Sequence, residues 1–330
     1  MAVQNVSIVG GESLLGRELR EQLAEVKFPA KLKLIGTDAE DTKILSIQEG
    51  EPVVMTELDA DALEQSRMVF LAGTAVSSEK ALKLVRETAS KPAIIDLTGA
   101  LEDQPNARLR APGLEPEGFT VPDDSIHVIA HPAAAVLAQI LGRIQKQYPI
   151  RHAVVQIFEP ASERGQAGIT ELQQQTASLL SFKAMPKEVF DAQLSFNMLP
   201  RYGSDAPARL EDVEHRIDRH LATLAQGTPI PSVRLSQAPV FHGYSFSMWI
   251  EFENNPGSVA LAEQLASAQI EVRGADLDAP SNVGSVGQSG VTVGLIETDP
   301  NQPKAIWLWA VADNFRITVD SAIEVARQLL

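Results

Sequence analysis

"NVSIVGGESLLGRELREQL", residues 5–23, reads as a strand, a glycine turn and a helix in direct succession. Beyond the turn Leu15, Leu19 and Leu23 recur every four residues, with Arg17, Glu18, Arg20 and Glu21 on the other side, which predicts a helix from about Ser13 with one apolar face. Gly10, Gly11 and Gly16 make a G-x-x-x-x-x-G turn, with Ser13 where a dinucleotide loop often has its middle glycine. Backbone amides that open a helix form a natural anion site. A serine at the point of closest approach would crowd a pyrophosphate, so a dinucleotide site and a bare tight turn account for the pattern equally well.

The same alternation continues outward. "KLKLIGT", "RMVFLAG", "KPAIIDLTG" and "SIHVIAHP" are short apolar strands joined by helical or polar connections, which predicts a parallel, doubly wound sheet. The second strand runs into "GTDAEDTK", where Asp38 is placed to accept a ribose hydroxyl. Three carboxylates and no arginine there would repel a 2′-phosphate, so NAD is expected ahead of NADP if a dinucleotide binds; a capped acidic turn is the plainer alternative. After about residue 150 the strands lengthen. In "VFHGYSFSMWIEFE" Tyr244, Phe246, Met248, Ile250 and Phe252 alternate with Ser245, Ser247, Trp249 and Glu251, the period of a sheet with two different faces. This half is expected to be α+β with an antiparallel or mixed sheet. The final "SAIEVARQLL" is predicted as a helix that packs back on the first domain, and "SNVGSVGQSGVTVG", residues 281–294, as a flexible or functional connection into a strand.

At 330 residues the chain exceeds one typical core, so two domains are expected. The net charge of −15 argues against nucleic acid and anionic membrane surfaces as partners. No apolar run reaches the roughly 18 residues of a membrane span, and the N-terminus shows no cleavable leader, which predicts a cytoplasmic location. The chain contains no cysteine, which removes disulfides, thiolate metal sites and any thiol nucleophile. His127, His152, His215, His220 and His242 show no metal-ligand spacing, and His215 and His220 are expected to be solvated on a helix.

Seven segments in one order, "GRELREQL", "DLTGALED", "VIAHPAAAV", "AGITELQQQT", "FNMLP", "APVFHGYS" and "VGLIETDP" followed by "WLWAVADNFR", resemble the aspartate-β-semialdehyde dehydrogenase family over essentially the whole chain. The resemblance implies a Rossmann-like domain over residues 1–133 with the C-terminal helix from about 315 to 330. It also implies an α+β domain over 134–314 that forms a homodimer through its sheet. That family makes its semialdehyde from aspartyl phosphate through a cysteine thioester and a hydride from NADPH. Carried over residue by residue, the thiol position in the family's N-P-N-C motif falls on Ala134, within His131-Pro132-Ala133-Ala134-Ala135. The family's glutamine falls on Glu159, its carboxylate-binding arginine on Gln237 and its histidine on Tyr244. Its two phosphate-binding cations fall on Glu102 and on Glu214, in "EDVE" with Glu211. Its "DNLRKG" becomes Asp313-Asn314-Phe315-Arg316-Ile317-Thr318.

These departures resemble the non-catalytic Usg-type branch of the family. Alanine offers neither a polarisable atom nor a labile proton, and loss of a nucleophile in a cooperating site costs on the order of 10⁶ in turnover. A phenol with an ordinary pKa near 10 is a poor replacement for an imidazole. Replacing two cations by carboxylates changes attraction to repulsion, about 4 kcal/mol per unit pair at 4 Å and an effective dielectric of 20. The expectation is a homodimeric pseudoenzyme without the family's activity. Three alternatives stay open. One is a divergent dinucleotide-binding oxidoreductase with a non-thiol mechanism. Another is a scaffold that pairs with itself or with an active paralogue. The last is a hydrolase built from His131, Glu159, Tyr244 and Ser162, although no nucleophile-elbow pattern is present.

Overall fold

A computed structural model describes residues 4–37, 45–48, 51–225 and 227–330. The chain divides into two compact units, Met1–Ala130 with Thr318–Leu330, and His131–Ile317.

The first unit runs β1 (Gln4–Val9), α1 (Leu14–Glu25), β2 (Ala30–Ile35), β3 (Leu45–Gln48), β4 (Glu51–Val54), α2 (Ala60–Glu64), β5 (Met68–Leu71), α3 (Ala75–Glu87), β6 (Ala93–Asp96), β7 (Ala107–Arg110) and β8 (Ile126–Ile129). Six strands form a parallel sheet in the order β2-β1-β5-β6-β8-β7, while β3 and β4 pair separately as an antiparallel ladder. Because successive strand residues point to opposite faces, each strand feeds two cores. Val6 and Ile8 of β1 and Met68 and Phe70 of β5 join Leu19 and Leu23 of α1. Val9, Val69 and Leu71 join Ala62 and Leu63 of α2 and Ala81, Leu82 and Val85 of α3. Helices on both faces of a parallel sheet make this unit Rossmann-like. The last helix, α9 (Asn314–Gln328), adds Val319, Ala322, Ile323 and Ala326 to the first of these cores.

The second unit continues with α4 (Pro132–Gln145), β9 (Ile150–Glu159), α5 (Gly165–Leu180), α6 (Leu210–Leu224), β10 (Ser232–Gln237), β11 (Tyr244–Phe252), α7 (Ser258–Leu265), β12 (Ile270–Val272), α8 (Asn282–Ser285), β13 (Val291–Thr298) and β14 (Ala305–Ala312). Its six-stranded sheet has the order β10-β9-β11-β14-β13-β12 and is mixed, with parallel pairs at both edges and antiparallel pairs between. Tyr244, Phe246, Met248, Ile250 and Phe252 are all buried on the inner face, as the alternation predicts. On the other face Trp249 stands opposite Trp307, and Trp309 lies 5.7 Å from Phe158 between ring centroids. All three tryptophans of the chain lie on this face.

Two sequence expectations need correction. Residues 281–294 form the short helical turn α8 and the start of β13, so they are not simply a flexible connection; Asn282 fastens them to the sheet, accepting from Ser245 Oγ at 2.9 Å and donating to the Gly243 carbonyl at 2.6 Å. His220 is buried, not solvated, whereas His215 is exposed as expected. It shares the inward face of α6 with Leu210, Ile217 and Leu221, and α6 packs on α4. No helix of the described residues is long and apolar enough to cross a membrane.

Candidate functional site

Each unit carries one strand-to-helix turn with chemical potential. In the first unit it lies at the carboxyl end of β1, where the strand order reverses. The chain goes from β1 to β2 on one side and later returns to β5 on the other, the switch point at which doubly wound sheets bind ligands. Gly10 has φ +82°, and a Cβ there would stand 2.3 Å from Gly73 Cα. A Cβ on Gly16 would stand 2.1 Å from the Gly10 carbonyl oxygen. The two glycines therefore allow β1, the start of α1 and the end of β5 to meet backbone to backbone. Gly11 is tight but less constrained, its Cβ facing Leu34 Cδ2 at 3.2 Å.

Ser13 does not project into the open side of the turn. Its hydroxyl donates to the Ala72 carbonyl at 2.6 Å and accepts from the Gly16 amide at 2.9 Å, capping α1. The hydroxyl thus consumes one helix-opening N–H, while those of Leu14 and Leu15 have no intrahelical acceptor. Glu12 reaches the second residue beyond β2, where its Oε1 accepts from Thr37 Oγ1 at 2.9 Å. Its Oε2 is buried without a hydrogen-bond partner. The absence of a Cβ at Gly10, Gly11 and Gly16 fits the close approach of a polar ligand such as a dinucleotide. Asp38, the sequence-predicted ribose acid, lies outside the described residues. Glu102 follows β6 on a loop built by Asp96, whose carboxylate accepts from the amides of Thr98, Gly99 and Leu101 at 2.9, 3.2 and 2.8 Å.

In the second unit the turn leads into α4. His131 caps the helix, with its Nδ1 accepting from the Ala133 amide at 3.3 Å, and Pro132 occupies the first helical position. Ala134 is fully buried in the first turn. The His131 ring meets the Tyr244 ring edge-on at 5.9 Å, and its backbone N–H donates to His220 Nδ1 at 2.9 Å. Burial, together with Arg216, His220 and Arg164, holds the His131 pKa well below the ordinary histidine value. With Nδ1 accepting, its single proton sits on Nε2 at neutral pH.

Three of the sequence-predicted positions, Glu159, Gln237 and Tyr244, come together at the strand ends. Glu159 ends β9 fully buried; Oε1 accepts from Arg164 Nη2 at 2.9 Å and Oε2 from the Tyr244 hydroxyl at 3.4 Å. Gln237, at the end of β10, donates from Nε2 to the Glu159 backbone carbonyl at 2.7 Å. Tyr202 joins them, its hydroxyl 2.7 Å from Gln237 Oε1 and 3.2 Å from Glu159 Oε1. One phenolic proton serves both acceptors, with the shorter bond to the amide. Burial first, then the neighbouring carboxylates, pushes the Tyr202 and Tyr244 phenols up, so both remain neutral. Glu163, beside this pair, accepts from Asn314 Nδ2 at 2.8 Å, and burial together with the Glu159 charge pushes its pKa up to about 7.

Arg164, Tyr202, Glu163 and Asn314 were missed by sequence reasoning. Tyr202 arrives on the long segment after α5. Three residues of "AGITELQQQT" hold that segment: Glu171 accepts from the Val189 amide at 2.6 Å, Gln175 Oε1 from the Leu194 amide at 2.7 Å, and the Thr176 and Ser195 hydroxyls bond at 2.8 Å. The motif thus positions a loop without doing chemistry. Glu214 accepts from Arg234 Nη1 at 2.8 Å and the Leu235 amide at 2.7 Å, tying α6 to β10. Ser162 is buried against Asn314 at 3.2 Å, with no imidazole among its hydrogen-bond partners. Among the described residues no group of His, Asp and Glu assembles a metal site.

A glycine-turn unit joined to a mixed-sheet unit, with Glu159, Gln237 and Tyr244 gathered at the second unit's strand ends, defines a dehydrogenase-type architecture. The family model for the semialdehyde dehydrogenase dimerisation domain matches residues 141–317, and the chain belongs to that family. A USG-1 protein homolog from Azotobacter vinelandii is 29% identical over 99% of this chain and 97% of its own length. An aspartate-semialdehyde dehydrogenase from Rickettsia bellii is 26% identical over the same shares. The structure of a probable aspartate-semialdehyde dehydrogenase from Pseudomonas aeruginosa superposes with a TM-score of 0.86 at 26% identity, covering 99% of this chain and 98% of that one. Overall similarity does not choose between the two kinds of relative, so the choice falls to the site.

Proposed function

We propose that this chain is a cytoplasmic homodimer of the semialdehyde dehydrogenase family that has lost the dehydrogenase reaction and keeps a dinucleotide-binding first unit. The observation that carries the loss is the Glu159 carboxylate, already occupied by Arg164, Tyr202 and Tyr244, in a chain with no cysteine. A thioester requires a nucleophile where Ala134 stands. Buried His131 and the two phenols stay neutral and supply no base of matched pKa; Glu163, the carboxyl pushed up to about 7, is engaged by Asn314; and Gln237 spends its amide on backbone carbonyls and Tyr202 rather than presenting a charged fork to a substrate carboxylate.

The test is turnover. Protein purified from a host lacking its own enzyme, given aspartate semialdehyde, phosphate and NADP, is expected to form no reduced nicotinamide. Ala134→Cys is expected to stay at or below about one-thousandth of a catalytic relative's rate, since the partner groups remain wrong. Turnover comparable with a catalytic relative by the unaltered chain ends the proposal.

Gly10, Gly11, Ser13 and Gly16 would hold the pyrophosphate of a dinucleotide through backbone amides, with NAD preferred and NADP disfavoured. A bound nicotinamide would supply hydride chemistry, and this chain's contribution is to bind and orient it. Heat from neither cofactor in calorimetry would remove this part of the proposal while leaving the rest.

For self-association the supporting observation is the outer sheet face. Asp299 Oδ2 accepts from both Trp249 Nε1 at 2.8 Å and Trp307 Nε1 at 3.0 Å, fixing two indoles as a flat platform beside Trp309. Trp307 is 42% exposed, and amphipathic rings held rigid in this way are frequent anchors of interfaces. The same face would serve an active paralogue in a mixed dimer. Sedimentation at micromolar concentration should give twice the mass of one 35.7 kDa chain; a single-chain mass refutes the dimer.

A further inference from the structure

The amino ends of the first unit's strands, at the opposite edge of the sheet from the glycine turn, border a groove of about 1140 Å³. Its lining includes Leu82 and Val85 of α3, Ile94 of β6 and Ile126 of β8, all buried. Arg67, Arg86 and Lys91 also line it, and all three are exposed. Arg67 and Lys91 donate to the main-chain carbonyls of Leu329 and Arg86, and Arg86 donates to the Gln104 side chain. Among the described residues none of the three cations has a carboxylate as its hydrogen-bond partner. Asp123 and Asp124 line the same groove, so it carries both signs.

The polar feature of the wall is His127. β8 is paired with β6 on one side and β7 on the other, so His127 offers the groove only its side chain. The residue is 2% exposed. One edge of the ring is taken: Nδ1 lies 2.7 Å from Arg110 Nη1, and a guanidinium can only donate. Arg110 is held in turn by both oxygens of Glu115, at 2.7 and 2.9 Å, by Gln328 Oε1 and by the Phe119 ring. Burial and then the Arg110 charge lower the His127 pKa to about 4, so the ring is neutral and its proton sits on Nε2. Among the described residues nothing accepts from Nε2, and it is not shut off from solvent as the neighbouring Ser125 hydroxyl is.

A fixed donor in a partly apolar groove, beside cations without a carboxylate partner, calls for an acceptor with one negative charge. A carboxylate accepts from Nε2–H, and its charge suits the field of Arg110 behind the ring. A phosphate dianion brings a second charge against Asp123 and Asp124, and an ammonium group has no lone pair to offer Nε2. We infer that this groove binds a small carboxylate with an apolar body, its carboxyl group accepting from His127 Nε2. The assignment is independent of the dinucleotide and dimer readings, because every residue it uses lies in the first unit at the other end of the strands from the glycine turn.

Calorimetric titration of the full chain with isocaproate, leucine, isoamylamine and inorganic phosphate tests this, with the imidazole nitrogen signals of His127 followed by NMR alongside. Isocaproate should bind with a Kd of about 1 mM and move the Nε2 signal. Isoamylamine and phosphate should bind at least about tenfold more weakly. Leucine separates the two sources of the group: binding as tight as isocaproate or tighter marks an amino acid, with its ammonium met by the groove's acids, and weaker binding marks a simple acid. His127→Asn keeps an acceptor for Arg110 at the Nδ1 position but removes the groove-facing donor. It should weaken isocaproate at least about tenfold at an unchanged melting temperature; should it fail to fold, the Nε2 signal of the unaltered protein decides. Failure of both carboxylates to bind at about 10 mM overturns the assignment. So does amine or phosphate binding as tight as isocaproate, an unmoved Nε2 signal at saturation, or full affinity in folded His127→Asn.

Discussion

The turn that opens α1 in the first unit and the turn that opens α4 in the second each begin with a side-chain cap, Ser13 and His131, yet they differ in what their residues do. The first keeps its glycines because the backbone geometry depends on them: Gly10 and Gly16 let two strands and a helix touch. The second has Pro132 opening α4 and His131 as cap, and Ala134, the position the proposal assigns to the thiol, is a buried methyl group. A thiol contributes little to the packing of a helix start, whereas a missing glycine would force backbone atoms apart.

The largest expected effect breaks that contrast at the first turn. Gly16→Ala drives a methyl group to 2.1 Å from the Gly10 oxygen, and the required backbone shift should destabilise the protein by about 3 kcal/mol or more in urea unfolding. A loss near the few tenths typical of surface changes would show that the turn is looser than the contacts imply.

Arg164→Met comes next. It strands the Glu159 carboxylate, which is fully buried, and removal of one partner from a buried pair costs about 3–5 kcal/mol. Glu159→Gln should cost less, because Glu163 can still compensate the arginine. Equal losses from the two variants would contradict the view that Glu159 and Glu163 share one cation.

The smallest effect concerns protons. Glu163 has an ordinary value of 4.5 and is pushed up to about 7 in the fold. Between those values the folded chain holds a proton that the unfolded chain has released, so this group's contribution to stability falls as pH rises from 4.5 toward 7 and is flat above. A shift of that size corresponds to at most about 3 kcal/mol. His131 acts in the opposite sense, its lowered pKa removing stability as pH falls below 6.5. The clean measurement is therefore the difference between unaltered protein and Glu163→Gln across pH 5–8. The variant should gain relative stability toward pH 8, and a pH-independent difference would remove the shared-cation account.

Much of the architecture was legible in the chain itself. The four-residue spacing of Leu15, Leu19 and Leu23 predicted α1, and strict alternation from Tyr244 to Phe252 predicted a two-faced strand, because burial imposes its own period on local sequence. His220 was misplaced for the converse reason. A histidine two residues from the acid Asp218 reads as solvated until α4 is known to cover that face of α6. Ser13 was expected to obstruct a ligand, but its hydroxyl turns toward Ala72, an orientation set by a strand about sixty residues away.

Sequence alone determined that no thiol chemistry can occur here, that the first half alternates strands with helices, and that the second half carries a sheet with two faces. Those conclusions follow from residue identity and local periodicity, which need no partners. Only the tertiary structure decided that Glu159, Arg164, Tyr202, Gln237 and Tyr244 close on one another, and that Glu12 carries an acceptor with no donor. Hydrogen bonds between segments distant in sequence exist only once the chain has brought them together, and the protonation states they impose come from burial.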